Sequence, residues 1–161
     1  MSRGDARPPR GRIEAIHVAS AESEPVRGVG EVRALAGRGL EGDRYFNREG
    51  FWPDDGEVRD LTLVEAEEIE RLAVEHGIAL RPGETRRNLT TRGIRLGELV
   101  GRRLRVGEVV CEGARLCEPC AHLQTLVGKP ILRPLVHRAG LRARILTDGV
   151  IRVGDPIVVE D

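Results

Sequence analysis

The chain is dominated by short segments rich in β-branched residues, most of them separated by turns that contain glycine. Runs of this length and composition are typical of strands. The segments predicted as strands are 13–19, 29–35, 58–64, 102–106, 109–114, 141–146 and 157–159. Because closure of a sheet removes its exposed edges, the pattern predicts a mainly β chain, a closed or partly closed antiparallel β-barrel with a few short helices. An α+β sandwich is the alternative arrangement.

Two stretches of the chain resemble each other. Residues 104–110 and 151–158 each contain two half-strands joined at a Val-Gly pair that is followed by an acidic residue. Apolar residues that alternate on both sides of a glycine turn predict a β-hairpin. We therefore expect two hairpins that form corners of the barrel.

One long helix and one short helix are predicted. Thr62 and Glu65 have the spacing of a capping box. The apolar face of the helix that would follow consists of Ala66, Ile69, Leu72 and Ala73 and stops before Gly77. We expect this helix to pack against the barrel. A second apolar run, 121–127, covers about two turns before Gly128 and predicts a short helix.

Length and charge narrow the class of protein. A chain of 161 residues fits a single domain, which we expect over residues 12–161 after a disordered tail at 1–11. The 26 basic and 26 acidic residues balance, so no broad cationic surface for nucleic acid is expected. No apolar run approaches the roughly 20 residues of a membrane span, and the N-terminus lacks the apolar region of a secretory signal. We expect a cytoplasmic protein with three reduced cysteines and no membrane partner.

The thiol of Cys120 follows Pro119 and precedes the predicted short helix. Unpaired backbone N–H groups at a helix N-terminus favour the thiolate over the thiol, and Arg115 upstream adds positive charge. A thiolate binds soft metals, carries sulfane sulfur or attacks an electrophile. The context favours a chemical role for Cys120, and a buried half-cystine or a small core residue is the alternative.

The aromatic residues fall in one short stretch of the chain. All four, Tyr45, Phe46, Phe51 and Trp52, lie between Gly42-Asp43 and the turn that begins at Pro53. The core is therefore expected to be aliphatic. A loop that holds all the aromatics suits a lid or wall over a pocket, and a cluster that pins a long loop or an oligomer contact is the alternative.

A loop rich in arginine follows the long helix. Arg86, Arg87 and Arg92 flank small hydroxyl and amide residues between Gly83 and Gly93. Forked guanidinium donors and backbone N–H groups in such a loop suit a phosphate or a planar polar ring. The alternative is that these arginines are simply exposed to solvent and bind no ligand, and the pattern alone does not separate the two interpretations.

Six motifs in fixed order carry a resemblance to a known family. They are 39–45, 61–67, 82–89, 116–123, 136–144 and 149–155. With this order and spacing, the chain resembles a stand-alone MOSC domain, the module named for the C-terminal part of molybdenum cofactor sulfurases. The resemblance runs from about residue 13 to the end of the chain.

The resemblance implies a closed, mostly antiparallel barrel similar to that of pyruvate kinase, and a molybdenum centre bound by a pterin (molybdopterin). Cys120 matches the cysteine of the family's Pro-Cys-x-x-Leu motif, which ligates the metal or carries a persulfide. A thiolate suits a metal already held by a dithiolene, and the pterin's phosphate needs arginine and backbone donors. The candidate cofactor-binding residues are Gly42, Asp43, Glu84, Arg86, Arg87, Asn88, Arg92 and Arg115.

The resemblance leaves the reaction open between two classes. One is a molybdenum-dependent oxidoreductase that reduces N-hydroxylated or other N-oxygenated small molecules. Because three cysteines cannot supply a Cys₄ cluster and no flavin or haem motif is present, this enzyme would need an external electron donor. The other is a carrier of persulfide sulfur or of the cofactor. Since the chain lacks the pyridoxal-phosphate part of fused sulfurases, a cysteine desulfurase-type partner would deliver the sulfur.

A third interpretation is a zinc-binding or thiol-redox module. Cys117 and Cys120 form a Cys-x-x-Cys pair, and Cys111, His122 and His137 are further potential ligands. The second Cys-x-x-Cys of a zinc ribbon is missing, so this interpretation ranks below molybdenum. A disulfide between Cys117 and Cys120 would instead protect or switch the site.

Overall fold

A computed structural model describes residues 10–21, 24–47, 58–119 and 121–160. The strands are β1 (Arg10–Val18), β2 (Arg27–Val29), β3 (Glu31–Leu35), β4 (Gly39–Leu40), β5 (Leu61–Glu65), β6 (Leu89–Arg92), β7 (Arg103–Val106), β8 (Val109–Leu116), β9 (Leu141–Ile145), β10 (Gly149–Arg152) and β11 (Pro156–Glu160). The helices are α1 (Arg44–Asn47), α2 (Ala66–His76) and α3 (Ala121–Val127), and a 3₁₀ turn covers Leu96–Leu99. No helix in these ranges is long and apolar enough to cross a bilayer.

Seven strands form a closed barrel. Their order around the ring is β11-β7-β8-β9-β5-β6-β1, and the pairing of β1 with β11 closes it. β2 extends the sheet from β1, and β10, β3 and β4 form a separate three-stranded sheet. The prediction of a mainly β, closed barrel is confirmed. β1 begins at Arg10, inside the segment 1–11 that the sequence predicts as a tail.

One strand pair is parallel because of the number of strands. Strand direction cannot alternate around a ring with an odd number of members, so at least one neighbouring pair must run the same way. That pair is β5 and β6, and every other pairing in the ring is antiparallel. Parallel neighbours need a crossover connection, which α2 supplies. The predicted antiparallel barrel is therefore mostly right.

The core is aliphatic, as predicted, and has two parts. Among the described residues, the barrel interior is filled by buried aliphatic side chains and Cys111, for example Ile13, Leu63 and Leu104. A smaller cluster lies beside the barrel and joins α2 and α3 to the segment after α3; its buried members are Leu72, Leu123, Ile131, Leu135 and Ala139.

The long helix ends where the sequence predicts and begins differently. Gly77 adopts a left-handed conformation (φ 66°), its N–H donates to the carbonyl of Ala73, and the N–H of Ile78 donates to the carbonyl of Leu72, so the predicted stop is confirmed. The capping box is wrong: Thr62 lies within β5, Glu65 occupies the N-cap position, and no side chain caps the helix. The hydroxyl of Thr62 is instead bonded to Asn88.

Only one of the two predicted hairpins forms. Residues 104–110 join β7 to β8, whose strands pair directly. The stretch 151–158 is not a hairpin, because β10 pairs with β3 while β11 pairs with β7 and β1. The same local pattern therefore serves once as a corner within the barrel and once as a crossing between two sheets.

Asn88 joins three strands at the entrance to β6. Its Oδ1 accepts hydrogen bonds from the N–H and the hydroxyl of Thr62, both at 3.1 Å. Its Nδ2 donates to the carbonyl of His17 at 3.2 Å. Since Asn88 is almost fully buried (1% exposed), the backbone groups that it satisfies have little access to water. Asn88 thus ties β1 and β5 to β6.

We predict that Asn88→Ala destabilises the protein by about 2–4 kcal/mol, because the buried N–H of Thr62 and the carbonyl of His17 lose their partner. The measurement is the free energy of unfolding from a urea titration. Thr90→Ala, at a half-buried position of the same strand, is the control and is expected to change stability by about 0.5 kcal/mol or less. Equal losses in both variants would contradict the role given to Asn88.

Candidate functional site

Three connecting segments meet at one end of the barrel. The carboxyl end of β1 lies beside the amino end of β6, where Ile16 pairs with Leu89. The amino end of β5 lies on the other side of β6, since Leu63 pairs with Leu89 in the parallel register. The segments after β1, before β5 and before β6 therefore share this end. They contain the Gly42-Asp43 motif and the loop of Glu84, Arg86 and Arg87.

A buried ion pair within the segment before β5 connects all three segments. Asp43 is fully buried, and its Oδ1 accepts from the N–H of Ala19 at 3.0 Å and from Nη1 of Arg44 at 3.2 Å. The other fork of Arg44, Nη2, donates to the carbonyl of Arg86 at 3.2 Å. Asp43 Oδ2 is buried and has no hydrogen-bond partner among the described residues. The structure thus brings the Gly-Asp motif and the arginine loop together through Arg44.

The arginine loop begins with a tight turn. Gly83 has a positive φ (83°), and the N–H of Arg86 donates to its carbonyl at 2.9 Å. Glu84 accepts from the N–H of Arg81 at 2.6 Å and from Nζ of Lys129 at 2.9 Å. Burial alone would raise the pKa of Glu84, but these two donors outweigh it and the pKa is lowered. Glu84 is therefore an anion that fixes the turn.

Arg87 points into the protein. Its Nε donates to the carbonyl of Ala139 at 3.0 Å, and its Nη2 donates to the carbonyls of Cys117 at 3.2 Å and Glu118 at 3.3 Å. The side chain is buried. We call residues 117–119, which immediately precede Cys120, the thiol segment. Arg87 binds the backbone of the thiol segment through a forked, charged donor.

Two further contacts hold the thiol segment. The carboxylate of Glu118 accepts from the backbone N–H of His137 and contacts its ring Nδ1, each at 2.6 Å. The N–H of Cys117 donates to the carbonyl of Gly140 at 2.8 Å. Cys120 lies outside the described residues, and α3 begins at Ala121, directly after it. The predicted short helix, including its end at Gly128, is confirmed.

A cleft of about 500 Å³ lies next to the arginine loop. Its polar lining is Arg81, Glu84 and Arg86, and its apolar lining is Pro25, Val26, Pro82, Leu126 and Val127. The last two residues belong to the final turn of α3, the helix that starts after Cys120. The cleft therefore extends from the arginine loop to the C-terminal end of α3, the end away from Cys120.

Of the predicted cofactor-binding residues, Arg92 lies elsewhere, and Arg115 is exposed near the end of β8. Arg92, at the far end of β6 from Asn88, is paired with Glu14 at 2.7 Å and Glu70 at 2.6 Å. The hydrogen bonds to Glu70 and Glu14 raise the pKa of Arg92, so its donors are engaged. Arg115 lies on β8 opposite Arg142 and is exposed. The structure does not bring Arg92 into the group formed by Asp43, Glu84, Arg86 and Arg87.

The two described thiols are buried. Burial, and secondarily the charge of Asp60, raises the pKa of Cys111 to about 12, and this residue is part of the barrel core. Cys117 is buried and free. Among the described side chains, no three His, Cys, Asp or Glu residues are placed to hold a metal ion, and the side chains of Cys120 and His122 are outside this set.

The aromatic lid falls mostly outside the described residues. Phe51 and Trp52 belong to 48–57, and the side chain of Tyr45 is also outside. The ring of Phe46 lies in α1, with the guanidinium of Arg38 at 4.1 Å from its centre. The lid stays a prediction.

Two residues of the site escape the sequence reasoning. Arg44 has a weak signal, since it follows Asp43 directly and forms a potential ion pair. His17 has none, because a single histidine in an apolar strand is typical of a core position. Its imidazole is 7% exposed, its Nδ1 has no partner among the described residues, and it packs beneath Gly83, where an added Cβ would come within 2.7 Å of the ring.

Comparisons with known proteins agree with this architecture. A model of the MOSC domain matches residues 54–158, more than half of the chain. No curated protein matches.

Similar solved structures include the YuaD protein from Bacillus subtilis, with 19% identity, a TM-score of 0.78 and coverage of 93% of this chain and 95% of that one. YiiM from Geobacillus stearothermophilus is 18% identical with a TM-score of 0.73, over 95% of this chain and 76% of that one. YiiM from Escherichia coli is 20% identical with a TM-score of 0.64, over 97% and 70%. At such identities the likeness shows the fold.

We predict that His17 makes the protein less stable in acid. Burial lowers the pKa of His17, so the unfolded chain binds this proton at higher pH than the folded chain. Stability from the neutral ring is present above the unfolded pKa of about 6.5 and is lost as the pH falls from there toward the folded value. The free energy of unfolding, measured between pH 7 and 5, should fall less in His17→Gln than in the wild type. His76→Gln, at an exposed position, should follow the wild type, and an equal fall in all three proteins would contradict the prediction.

Proposed function

The chain belongs to the MOSC domain family, and from that premise we propose that it binds the molybdenum cofactor, with the Cys120 thiolate as the protein ligand of the metal. We further propose that the protein reduces N-oxygenated small molecules with electrons from an external donor. In this proposal the chain supplies one reactive group, the thiolate of Cys120, and the residues that hold it in place.

One observation carries the proposal: the thiol segment is held by its backbone. Arg87 donates to the carbonyls of Cys117 and Glu118, and Gly140 accepts from the N–H of Cys117. Holding the main chain of residues 117–119 limits where the next residue, Cys120, can be placed. A metal ligand that must keep one geometry through turnover benefits from such support.

The described residues offer complementary groups to a phosphorylated pterin. Arg81 and Arg86 line the cleft, and forked guanidinium donors suit a phosphate. Asp43 Oδ2 is a buried acceptor without a partner among the described residues, and a pterin ring carries N–H donors. Nη1 of Arg86 also donates to the carbonyl of Glu24 at 2.6 Å. Asn88 and Arg87 bond to the protein itself and do not line the cleft, so we assign them to support of the site.

Each residue has a defined task in this proposal. When bound, the cofactor supplies a metal that accepts an oxygen atom from the substrate and passes electrons to it. Cys120 would donate a thiolate to the metal, Arg87 holds the segment before it, and Arg81 with Arg86 would neutralise the phosphate. The apolar residues Leu126 and Val127 would form the cleft wall beside these charges.

We predict that protein from a host rich in molybdenum cofactor contains near-stoichiometric molybdenum and pterin. Cys120→Ser should lose both, because a serine hydroxyl stays protonated near neutral pH and is a much weaker metal ligand than a thiolate. Cys117→Ser should keep them and serves as the matched control, since the thiol of Cys117 is buried. The measurements are metal analysis by mass spectrometry and fluorescence of the oxidised pterin. Zinc that is lost with either cysteine would overturn the proposal in favour of a structural metal site.

A second measurement separates a catalyst from a carrier. We expect the molybdenum-loaded protein to reduce an N-hydroxylated base with a chemical electron donor, and Cys120→Ser to have no activity. Bound cofactor without any turnover would favour the carrier. A persulfide at Cys120, seen by intact-protein mass spectrometry after incubation with a cysteine desulfurase, would favour sulfur transfer.

We predict that Arg81→Ala weakens retention of the pterin about tenfold or more, because it removes a charge-assisted contact to the phosphate. Arg95→Ala is a closely matched control. Each arginine forms an i,i+3 pair with a glutamate at 3.5 Å and is more than 80% exposed, but Arg95 lies outside the cleft. The readout is the pterin content after dialysis. Equal retention in the two variants would place the phosphate away from Arg81.

A further inference from the structure

We infer that Arg44 is a positioning residue that holds the backbone of Arg86 in a left-handed conformation and, through Arg87, keeps the thiol segment closed. This role connects the Gly-Asp motif to the segment before Cys120. It rests on the proposed function only in assigning that segment to the cofactor's thiol ligand, since the contacts themselves involve the protein alone.

The first step is the burial of the Arg44 guanidinium. The side chain is 5% exposed, and its partner Asp43 is 0% exposed. A charge in such surroundings needs a counter-charge and well-placed acceptors. Nη1 of Arg44 donates to the carboxylate of Asp43, and Nη2 donates to the carbonyl of Arg86. The planar guanidinium therefore fixes the distance and the direction between these two segments.

The second step is the conformation of Arg86. Its φ is 59°, a value that residues with a side chain adopt only at a cost. Non-glycine residues with positive φ in the described chain are Arg86 and His137, and both flank the thiol segment: one precedes Arg87, and the other is bonded to Glu118. The strained residues thus lie where the structure holds the thiol segment. The bond from Arg44 compensates part of the cost at Arg86.

The third step is transmission to the thiol segment. The direction of the chain at Arg86 sets where the side chain of Arg87 begins, and Arg87 reaches the carbonyls of Cys117 and Glu118. If Arg86 relaxes to a negative φ, this reach is lost. Cys117 would then become accessible, although it is 2% exposed in the closed arrangement. The reactivity of the Cys117 thiol therefore reports whether the contacts from Arg44 through Arg86 and Arg87 are intact.

The experiment is thiol alkylation of the full-length protein with N-ethylmaleimide, read out at each cysteine by peptide mass spectrometry. Cys111 is the internal control because it is 0% exposed in the barrel core and reacts only on global opening. We expect Arg44→Met to raise the alkylation rate of Cys117 about tenfold, which corresponds to about 1.4 kcal/mol of local opening, and to leave the rate of Cys111 unchanged.

The decisive variant restores the left-handed backbone at position 86 in the absence of the Arg44 guanidinium. Glycine adopts a positive φ without strain, so Arg44→Met combined with Arg86→Gly should bring the Cys117 rate back toward the wild type. Arg86→Gly alone should leave Cys117 protected. If Arg44→Met does not fold, Arg44→Lys keeps the charge beside Asp43 but loses the planar fork, and it should expose Cys117 in the same selective way.

Three results would overturn the inference. Cys117 and Cys111 could react faster together, which would make Arg44 a contributor to global stability only. Cys117 could stay protected in Arg44→Met or Arg44→Lys. The double variant could be as reactive as the single one, which would remove Arg86 from the contacts that link Arg44 to Cys117. Since no cofactor is needed for this measurement, it can succeed even if the molybdenum analysis fails, and the two proposals are tested separately.

Discussion

The closure of a seven-stranded ring is the constraint from which the site follows. An odd ring must contain a parallel pair, and the pair β5 and β6 requires a crossover. Helix α2 supplies the crossover, and the chain that returns from Gly77 to Leu89 carries Glu84, Arg86 and Arg87 to the end of the barrel. The same helix offers Leu72 to the second apolar cluster, which anchors α3. Both halves of the candidate site thus depend on one crossover.

At this end of the barrel, polar side chains satisfy backbone N–H and carbonyl groups that strand pairing satisfies elsewhere. Near the ends of the strands and in the segments beyond them, carbonyls and N–H groups that the strand ladder does not satisfy still need partners. Asn88 provides them for Thr62 and His17, and Arg87 provides them for the thiol segment. These side chains are buried, so removing one leaves a backbone group without water as a substitute. The polar motif residues are therefore largely a framework that holds the loops at this end of the barrel.

Local signals predicted the elements well where the decisive interactions are local. Gly77 ends α2 because only a left-handed residue completes its final turn, and the 104–110 hairpin forms because its strands are neighbours in the chain. The errors have the opposite origin. Thr62 has the spacing of a helix cap, but its hydroxyl is hydrogen-bonded to Asn88. Residues 151–158 have a hairpin pattern, but they pair with distant strands. A short pattern cannot distinguish such partners.

The sequence by itself determined an aliphatic β-barrel, the family, and the thiol motif around Cys120, because these depend on residue type, order and spacing. Only the tertiary structure decided what each polar residue does. Arg86, Arg87 and Arg92 lie within one loop and strand, yet one lines the cleft, one binds the backbone of the thiol segment and one pairs with surface glutamates. The physical reason is that a long charged side chain takes its direction from the acceptors around it, and distant parts of the chain supply those acceptors.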